Sequence, residues 1–136
     1  MPSDFRLNTT SRNAGLDAEF TSAQNGGRLR VYSGTRPAGP STAITDQVML
    51  VELTLNATAW AAASGGSKAA NAITGVAAVA SGTASFFRIF NTDGITGHAD
   101  GNVGIADENM VLPTATITAG VTVNVISLTF GVPASA

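Results

Sequence analysis

Apolar residues recur along this chain with two different periods. In "SRNAGLDAEFTSAQ", residues 11–24, Leu16, Phe20 and Ala23 stand at i, i+4 and i+7 and form one stripe of a helix. Ser11 or Asn13 can cap that helix, and Asp17 and Glu19 are expected in its early turns, where the helix dipole favours acids. "NGG" at 25–27 supplies the stop, because Asn and Gly tolerate the left-handed backbone that ends helices. From residue 28 onward the period is two. "RLRVYSG" sets Leu29 and Val31 against Arg28, Arg30 and Tyr32, and "MLVELTLNA" sets Val51, Leu53, Leu55 and Ala57 against Glu52, Thr54 and Asn56. Between them, Pro37 and Pro40 in "TRPAGPSTAITDQ" each remove a backbone donor and predict a loop or irregular edge.

Residues 60–82 are small and glycine-rich. Gly65 and Gly66 break any helix within two turns, which leaves a long loop with strand pieces around Ile73 and Val76, anchored to the core by Trp60. "ASFFRIF" then carries Ala84, Phe86, Arg88 and Phe90 on one side and Ser85, Phe87, Ile89 and Asn91 on the other. Large apolar groups on both sides predict an interior strand. "NTDG" is a turn, and "HADGNVGI" is the return strand, kinked or bulged at its own Asp-Gly. In "ATITAGVTVNVISLTF" the apolar phase flips between Val125 and Ile126. Val121, Val123 and Val125 share one face, and Ile126, Leu128 and Phe130 the other. Either a one-residue bulge restores a single buried face or the strand crosses from one neighbour to another. Several short strands and one leading helix predict an all-β fold, a β-sandwich or jelly roll with one short N-terminal helix. The expected organisation is an N-terminal arm over 1–10, a single β-sandwich domain over 11–131 and a C-terminal tail over 132–136.

Composition narrows the function. The chain has 136 residues, one domain's length, and only 12% of them are charged against 44% hydrophobic. Soluble domains usually carry about 25% charged residues, so Thr, Ser, Asn, Gly and Ala cover this surface instead. With a net charge of −2, copies repel one another weakly. This composition suits a protein that buries much of its surface against neighbours, or an ordinary β domain with a weakly charged exterior. Without cysteine there is no disulfide framework or thiolate metal site. No stretch reaches the ~18 apolar residues of a membrane span, and "MPSDFRLNTTSRN" lacks the form of a signal peptide, so a soluble protein kept in a cytosol is expected. Seven scattered Lys and Arg are too few for a phosphate-tracking surface, so nucleic acid is not an expected partner.

The only histidine, His98, stands near Asp93 and Asp100. A catalytic histidine needs a nucleophile and an orienting group, and a metal usually needs three or more ligands. The acids of "DGITGHADGNVG" do not follow a calcium-loop spacing, and no Gly-x-Ser-x-Gly elbow or phosphate-binding loop occurs. Turn formation alone accounts for both Asp-Gly pairs. No enzyme, metal or cofactor is therefore expected; the competing reading is a small hydrolase using His98 with Asp93 or Asp100. Arg88, between Phe87 and Ile89, reads either as a salt-bridged strand arginine or as an intersubunit ion pair or stacking anchor.

"GRLRVYSGTRPA", "MLVELTLNATAW", "GTASFFRIFNTDG", "DGNVG" and "ITAGVTVNVISLTF" together resemble a family of small structural proteins of tailed bacteriophages. The resemblance runs from about Ser11 to Phe130. Its most specific parts are Tyr32-x-Gly34-Thr35-x-Pro37 and Gly82-Thr83-Ala84-x-x-Phe87-Arg88. It implies an all-β virion component, a cement or decoration protein on the capsid exterior, made in the host bacterial cytoplasm. The implied partners are the major capsid protein and further copies of the chain, as homodimer or homotrimer. The arm, the proline loop 36–40 and the tail are the expected contact segments, each poorly ordered until bound. Arg36, Pro37, Pro40, Arg88, Phe130 and Pro133 are the candidate assembly contacts. The alternative is a tail or fibre module that binds a host-surface glycan, for which Trp60 and Tyr32 are the only Trp and Tyr available.

Overall fold

The computed structural model describes residues 7–106 and 108–131. The fold is mostly β with one short helix. Helix α1, Thr9–Glu19, begins earlier than the apolar stripe suggests. Asn8 caps it, its side chain accepting the Ser11 amide at 2.8 Å. Asp17 and Glu19 consequently lie in the last turns rather than the first, and residues 9 and 10 of the expected arm are helical. Asp17 offsets this unfavourable dipole position by accepting from Lys68 Nζ at 2.5 Å and from the Ala63 amide at 3.0 Å. Phe20 leaves the helix with extended backbone and a buried ring, and a separate 3-10 turn, Ser22–Gln24, follows with its own Thr21 capping box.

Eleven strands follow. The first two are β1 (Arg28–Ser33) and β2 (Val48–Thr54); three short ones come next, β3 (Ser67–Ala69), β4 (Val76–Ala77) and β5 (Gly82–Thr83). Then come β6 (Phe86–Phe90), β7 (Gly97–Gly104), β8 (Met110–Val111), β9 (Thr116–Ile117), β10 (Thr122–Val123) and β11 (Ser127–Gly131). Seven of them make one mixed sheet in the order β2-β1-β6-β7-β8-β11-β3. Every neighbouring pair is antiparallel except β7–β8, which is parallel. A parallel pair normally needs a long crossover, but only Val103↔Met110 and Gly104↔Val111 are matched here, so the short 105–109 loop suffices. The sheet curls back on itself. The chain leaving β2 returns as residues 59–61 beside the continuation of β3, through the Trp60↔Ala70 bridge and the Ala61 amide on the Ala69 carbonyl.

The period-two expectations give the inner face. Leu29 and Val31 face Leu53, Val51, Ile89 and Phe87 across the register, and all six are fully buried. Leu16, Phe20, Trp60, Met110, Ile117, Val123 and Leu128 close the same core. Between Val31/Tyr32 the β1–β2 register skips Leu50, a bulge that buries Leu50 alongside Val51. Ala57, expected on the buried face, is exposed because regular pairing of β2 has ended before it. Strand β6 is buried along its whole length between β1 and β7, as its two apolar sides require.

The 115–130 segment takes the second of its two alternatives. β10 pairs with β4, whereas β11 pairs with β8 and β3, so the chain changes neighbours where the apolar phase flips. Ile126 is exposed rather than inward-facing because it stands at that change, and Val121 is exposed because it closes the turn before β10, its amide donating to the Thr118 carbonyl. Ile73 lies in no strand, although it packs against the core. The two remaining two-stranded pairs, β5–β9 and β4–β10, belong to one ribbon. Thr83↔Thr116, Gly82↔Ile117, Ala77↔Thr122 and Val76↔Val123 keep one register, because four residues intervene on each side. The Ala84 amide bonds to the Ala115 carbonyl and the Ala78 amide to the Val121 carbonyl in the same register. A turn bends the ribbon at its middle: the Val121 amide donates to the Thr118 carbonyl at 3.0 Å, with Gly120 at φ 86°.

Candidate functional site

On the face of the sheet away from the core, the register aligns four charged side chains across four strands. Glu52 of β2 lies opposite Arg30 of β1, Arg30 opposite Arg88 of β6, and Arg88 opposite Asp100 of β7. Two arginines side by side would repel, so each is paired outward. Arg30 Nε donates to Glu52 at 2.6 Å, and Arg88 donates to both Asp100 oxygens, at 2.7 and 3.2 Å. Aromatic rings flank the row: the Arg30 guanidinium lies 4.3 Å from the Phe90 ring centre, and Tyr32 stacks on Phe86 at 5.0 Å. Burial raises the Tyr32 hydroxyl pKa above its ordinary value, with Arg30 acting the other way.

Arg88 is 3% exposed, and its remaining donors reach the Thr42 carbonyl at 2.7 Å and the Gly39 carbonyl at 3.1 Å. It therefore fastens the proline loop to the sheet. Ser85 Oγ donates to the Gly34 carbonyl at 2.6 Å, and Gln47 Nε2 to that of Thr35 at 2.6 Å. This loop is tied into the fold, contrary to the expectation that it stays loose until bound. Arg88 is a salt-bridged strand arginine, its guanidinium engaged within the chain by Asp100, Thr42 and Gly39. The loop lies so close that a methyl group at Gly97 would sit 2.5 Å from the Pro40 carbonyl oxygen. Gly97→Ala is expected to push the loop off the sheet and cost about 1–3 kcal/mol, read by urea denaturation.

Of the other candidate contacts, Arg36, Pro37 and Pro40 line a groove of about 460 Å³ together with His98, Ala99 and Asp100. Phe130 lies elsewhere. Its ring stacks on Phe20 at 4.4 Å and meets Trp60 and Phe87 edge-on at 5.8 and 5.9 Å, so it acts inside the chain. Pro133, the tail 132–136 and residues 1–6 of the arm lie outside the described residues.

His98, Asp93 and Asp100 do not converge on one chemical task. Asp93 folds the β6–β7 turn, accepting from the Ile95 and Thr96 amides at 2.8 and 2.9 Å and from the Thr96 hydroxyl at 2.7 Å. Asp100 belongs to Arg88. His98 is the extra residue of a bulge, because Ile89 pairs with Ala99 while Phe90 pairs with Gly97. The bulge expected at Asp100-Gly101 therefore falls two residues earlier. Asp100 and Gly101 stay in regular register because the Phe87 ring fills the space where a Gly101 side chain would stand. The imidazole of His98 packs edge-on to Phe20 at 5.4 Å, with Nε2 3.8 Å from a Glu19 carboxylate oxygen. Among the described residues, no group of three His, Cys, Asp or Glu side chains is placed to hold a metal.

The Ile95 and Thr96 amides and the Thr96 hydroxyl hold the Asp93 carboxyl below the ordinary 3.8, and Lys68 and the Ala63 amide do the same for Asp17. A depressed folded-state value means that the stabilisation is complete above the unfolded value and is lost as pH falls through the folded one. Asp93→Ala should therefore destabilise the protein at neutral pH. Its difference from the parent should shrink as denaturation is repeated below pH 3.8.

Trp60 and Tyr32 are 8% and 4% exposed, so neither offers an open ring face to a sugar. Among the described residues, no helix is long and apolar enough to cross a membrane. Comparison with protein-family models, with characterised proteins and with solved structures found no match for this chain.

Proposed function

We propose that this chain is a non-enzymatic structural protein of a tailed-bacteriophage virion, a capsid cement protein that bridges neighbouring major capsid protein subunits from outside the shell. The curled sheet and its bent ribbon are then a variant of the β-sandwich or jelly-roll body of such a component. The observation that carries the reading is the surface. Val79, Val121, Ile126, Ile105 and Ile95 are 57–82% exposed on a chain with few charges, while Arg30, Lys68 and Arg88 are paired internally. Val79 and Val121 stand together at the bend of the ribbon, and an apolar pair on so weakly charged an exterior suits a protein that works covered by neighbours. The resemblance of the strand motifs around Tyr32-x-Gly34-Thr35-x-Pro37 and Phe87-Arg88 supplies the kind of neighbour. Attachment in this reading is additive: contacts that are individually weak become strong once one anchors the copy and raises the effective concentration of the rest. A dimer or trimer on a lattice symmetry axis multiplies them further.

The rim of the proline loop is the contact this reading favours, because Arg88 holds it rigid and Arg36 projects from it into solvent. The test adds the purified protein to capsid shells that lack it and follows co-sedimentation and shell dissociation in denaturant. Saturable binding with a more resistant shell is expected. Arg36→Ala should weaken binding roughly tenfold, about 1.4 kcal/mol, with its own unfolding unchanged. Shells that neither bind the protein nor gain resistance would refute the proposal.

A further inference from the structure

All the charged side chains of this protein lie outside two stretches, residues 69–87 and 109–136. Residues 76–84 and 115–123 of these stretches are the two strands that pair to form the bent ribbon. A strand edge in a monomeric protein is usually blocked by a lysine, a proline or a covering segment. Along 114–131 there is neither charge nor proline, and β9 and β10 each have one strand neighbour, so among the described residues no strand covers the outer edge; the Thr116 amide there reaches only the Thr114 hydroxyl, at 3.2 Å. Its composition favours pairing, with β-branched Thr116, Ile117, Thr118, Val121, Thr122 and Val123 in succession around Ala119 and Gly120. The same residues line a groove of about 220 Å³ in the crook of the bend. Val79 and Val121, 66% and 57% exposed, stand where the ribbon bends.

We propose that this ribbon is the surface through which two copies of the chain pair, across a two-fold axis, before and independently of any attachment to a shell. Charge selects the occupant. A partner that brought a charged group onto the ribbon would desolvate it against a surface with no counter-charge, at a large cost in free energy. A surface that meets this one must itself be free of charge, and the ribbon of a second copy is so by identity. A two-fold contact is isologous, so it covers the exposed valines of both copies at once and leaves no half-satisfied edge to propagate a fibre. The bend interrupts the edge, which limits it to short runs of backbone pairing and leaves valine burial as the main contribution.

Sedimentation and light scattering of the isolated protein test this. The parent should be a dimer that dissociates on dilution. Val79→Lys with Val121→Lys should lose at least tenfold in self-affinity yet unfold like the parent, because both positions are exposed. The chain has no cysteine, so single cysteines can map the contact. A short bis-maleimide should join two copies of Val121→Cys and leave Ile105→Cys, equally exposed in the 105–109 loop, uncoupled. A protein that stays monomeric up to millimolar concentration overturns the proposal, as does cross-linking of Ile105→Cys as readily as Val121→Cys. So does a ribbon that pairs only with added capsid shells. Because the decisive readouts use the isolated chain, failure here leaves the shell-binding proposal to its own test, and failure there leaves this one standing.

Discussion

Replacing Arg88 with alanine is expected to cost the fold about 3–5 kcal/mol, the range for removing one partner of a buried ion pair. The size follows from what is left behind. The Asp100 side chain is 7% exposed and would lose both charge-assisted bonds; the Thr42 carbonyl would lose its donor, and the Gly39 carbonyl would keep only the Thr42 amide at 2.9 Å. The proline loop should detach at the same time, so proteolysis within 36–44 ought to accelerate more than the global loss of stability accounts for. The paired change Arg88→Met with Asp100→Leu distinguishes charge burial from loop fastening. It removes the stranded carboxylate and should recover part of the stability, while the loop stays open to protease. Urea denaturation of the three proteins, with timed proteolysis, reads both effects. If Arg88→Ala unfolds within 1 kcal/mol of the parent, the guanidinium is not the fastening described above.

Phe20→Ala should be comparably severe, about 3–5 kcal/mol, because it empties the centre of an aromatic cluster. The Phe20 ring touches Trp60 at 4.9 Å, Phe130 at 4.4 Å and His98 at 5.4 Å, and it joins α1 to the sheet. Trp60 is the only tryptophan, so its emission reports this site directly. A red shift before the main unfolding transition is expected as the helix loosens from a sheet that is still folded. Retention of both the parent emission and the parent stability would mean that the helix docks without this ring.

The two predictions differ in how far the sequence alone supports them. Phe20 follows from the helical stripe, and Trp60 is legible as a core anchor because a lone tryptophan in a small-residue stretch has few other uses. Strands β1, β2 and β6 are equally legible, since their alternation assigns most side chains to a face, although it misses the bulge that buries Leu50 beside Val51; β7 is legible only as the return strand after the turn. Alternation does not give register, however. Nothing local sets Arg30 opposite Arg88, and the sequence alone leaves open whether Arg88 is an internal pair or an interface anchor. The His98 bulge is hidden for a related reason. Asp-Gly is the stronger local signal, but Gly101 is kept in register by the Phe87 ring, a residue fourteen positions away. The helix cap is missed because Asn8 precedes the apolar stripe by a full two turns. The ribbon is the least legible element. The alternation of Val121 and Val123 and the strand piece at Val76 are legible, but the pairing joins segments about forty residues apart through alanines, glycines and threonines, so only the assembled register reveals the ribbon. The same lack of charge that hides the ribbon from a periodicity reading is what marks it as a surface once the strands are placed.

The central claim is that this chain is a stoichiometric component of a capsid shell, and quantitative mass spectrometry of purified virions tests it most directly. The ratio of this protein to the major capsid protein should be close to a fixed lattice ratio, with hundreds of copies per particle. Only a few copies, in multiples of three or six, would place it at the tail or portal and contradict the cementing role, and its absence from purified particles would contradict a virion role altogether.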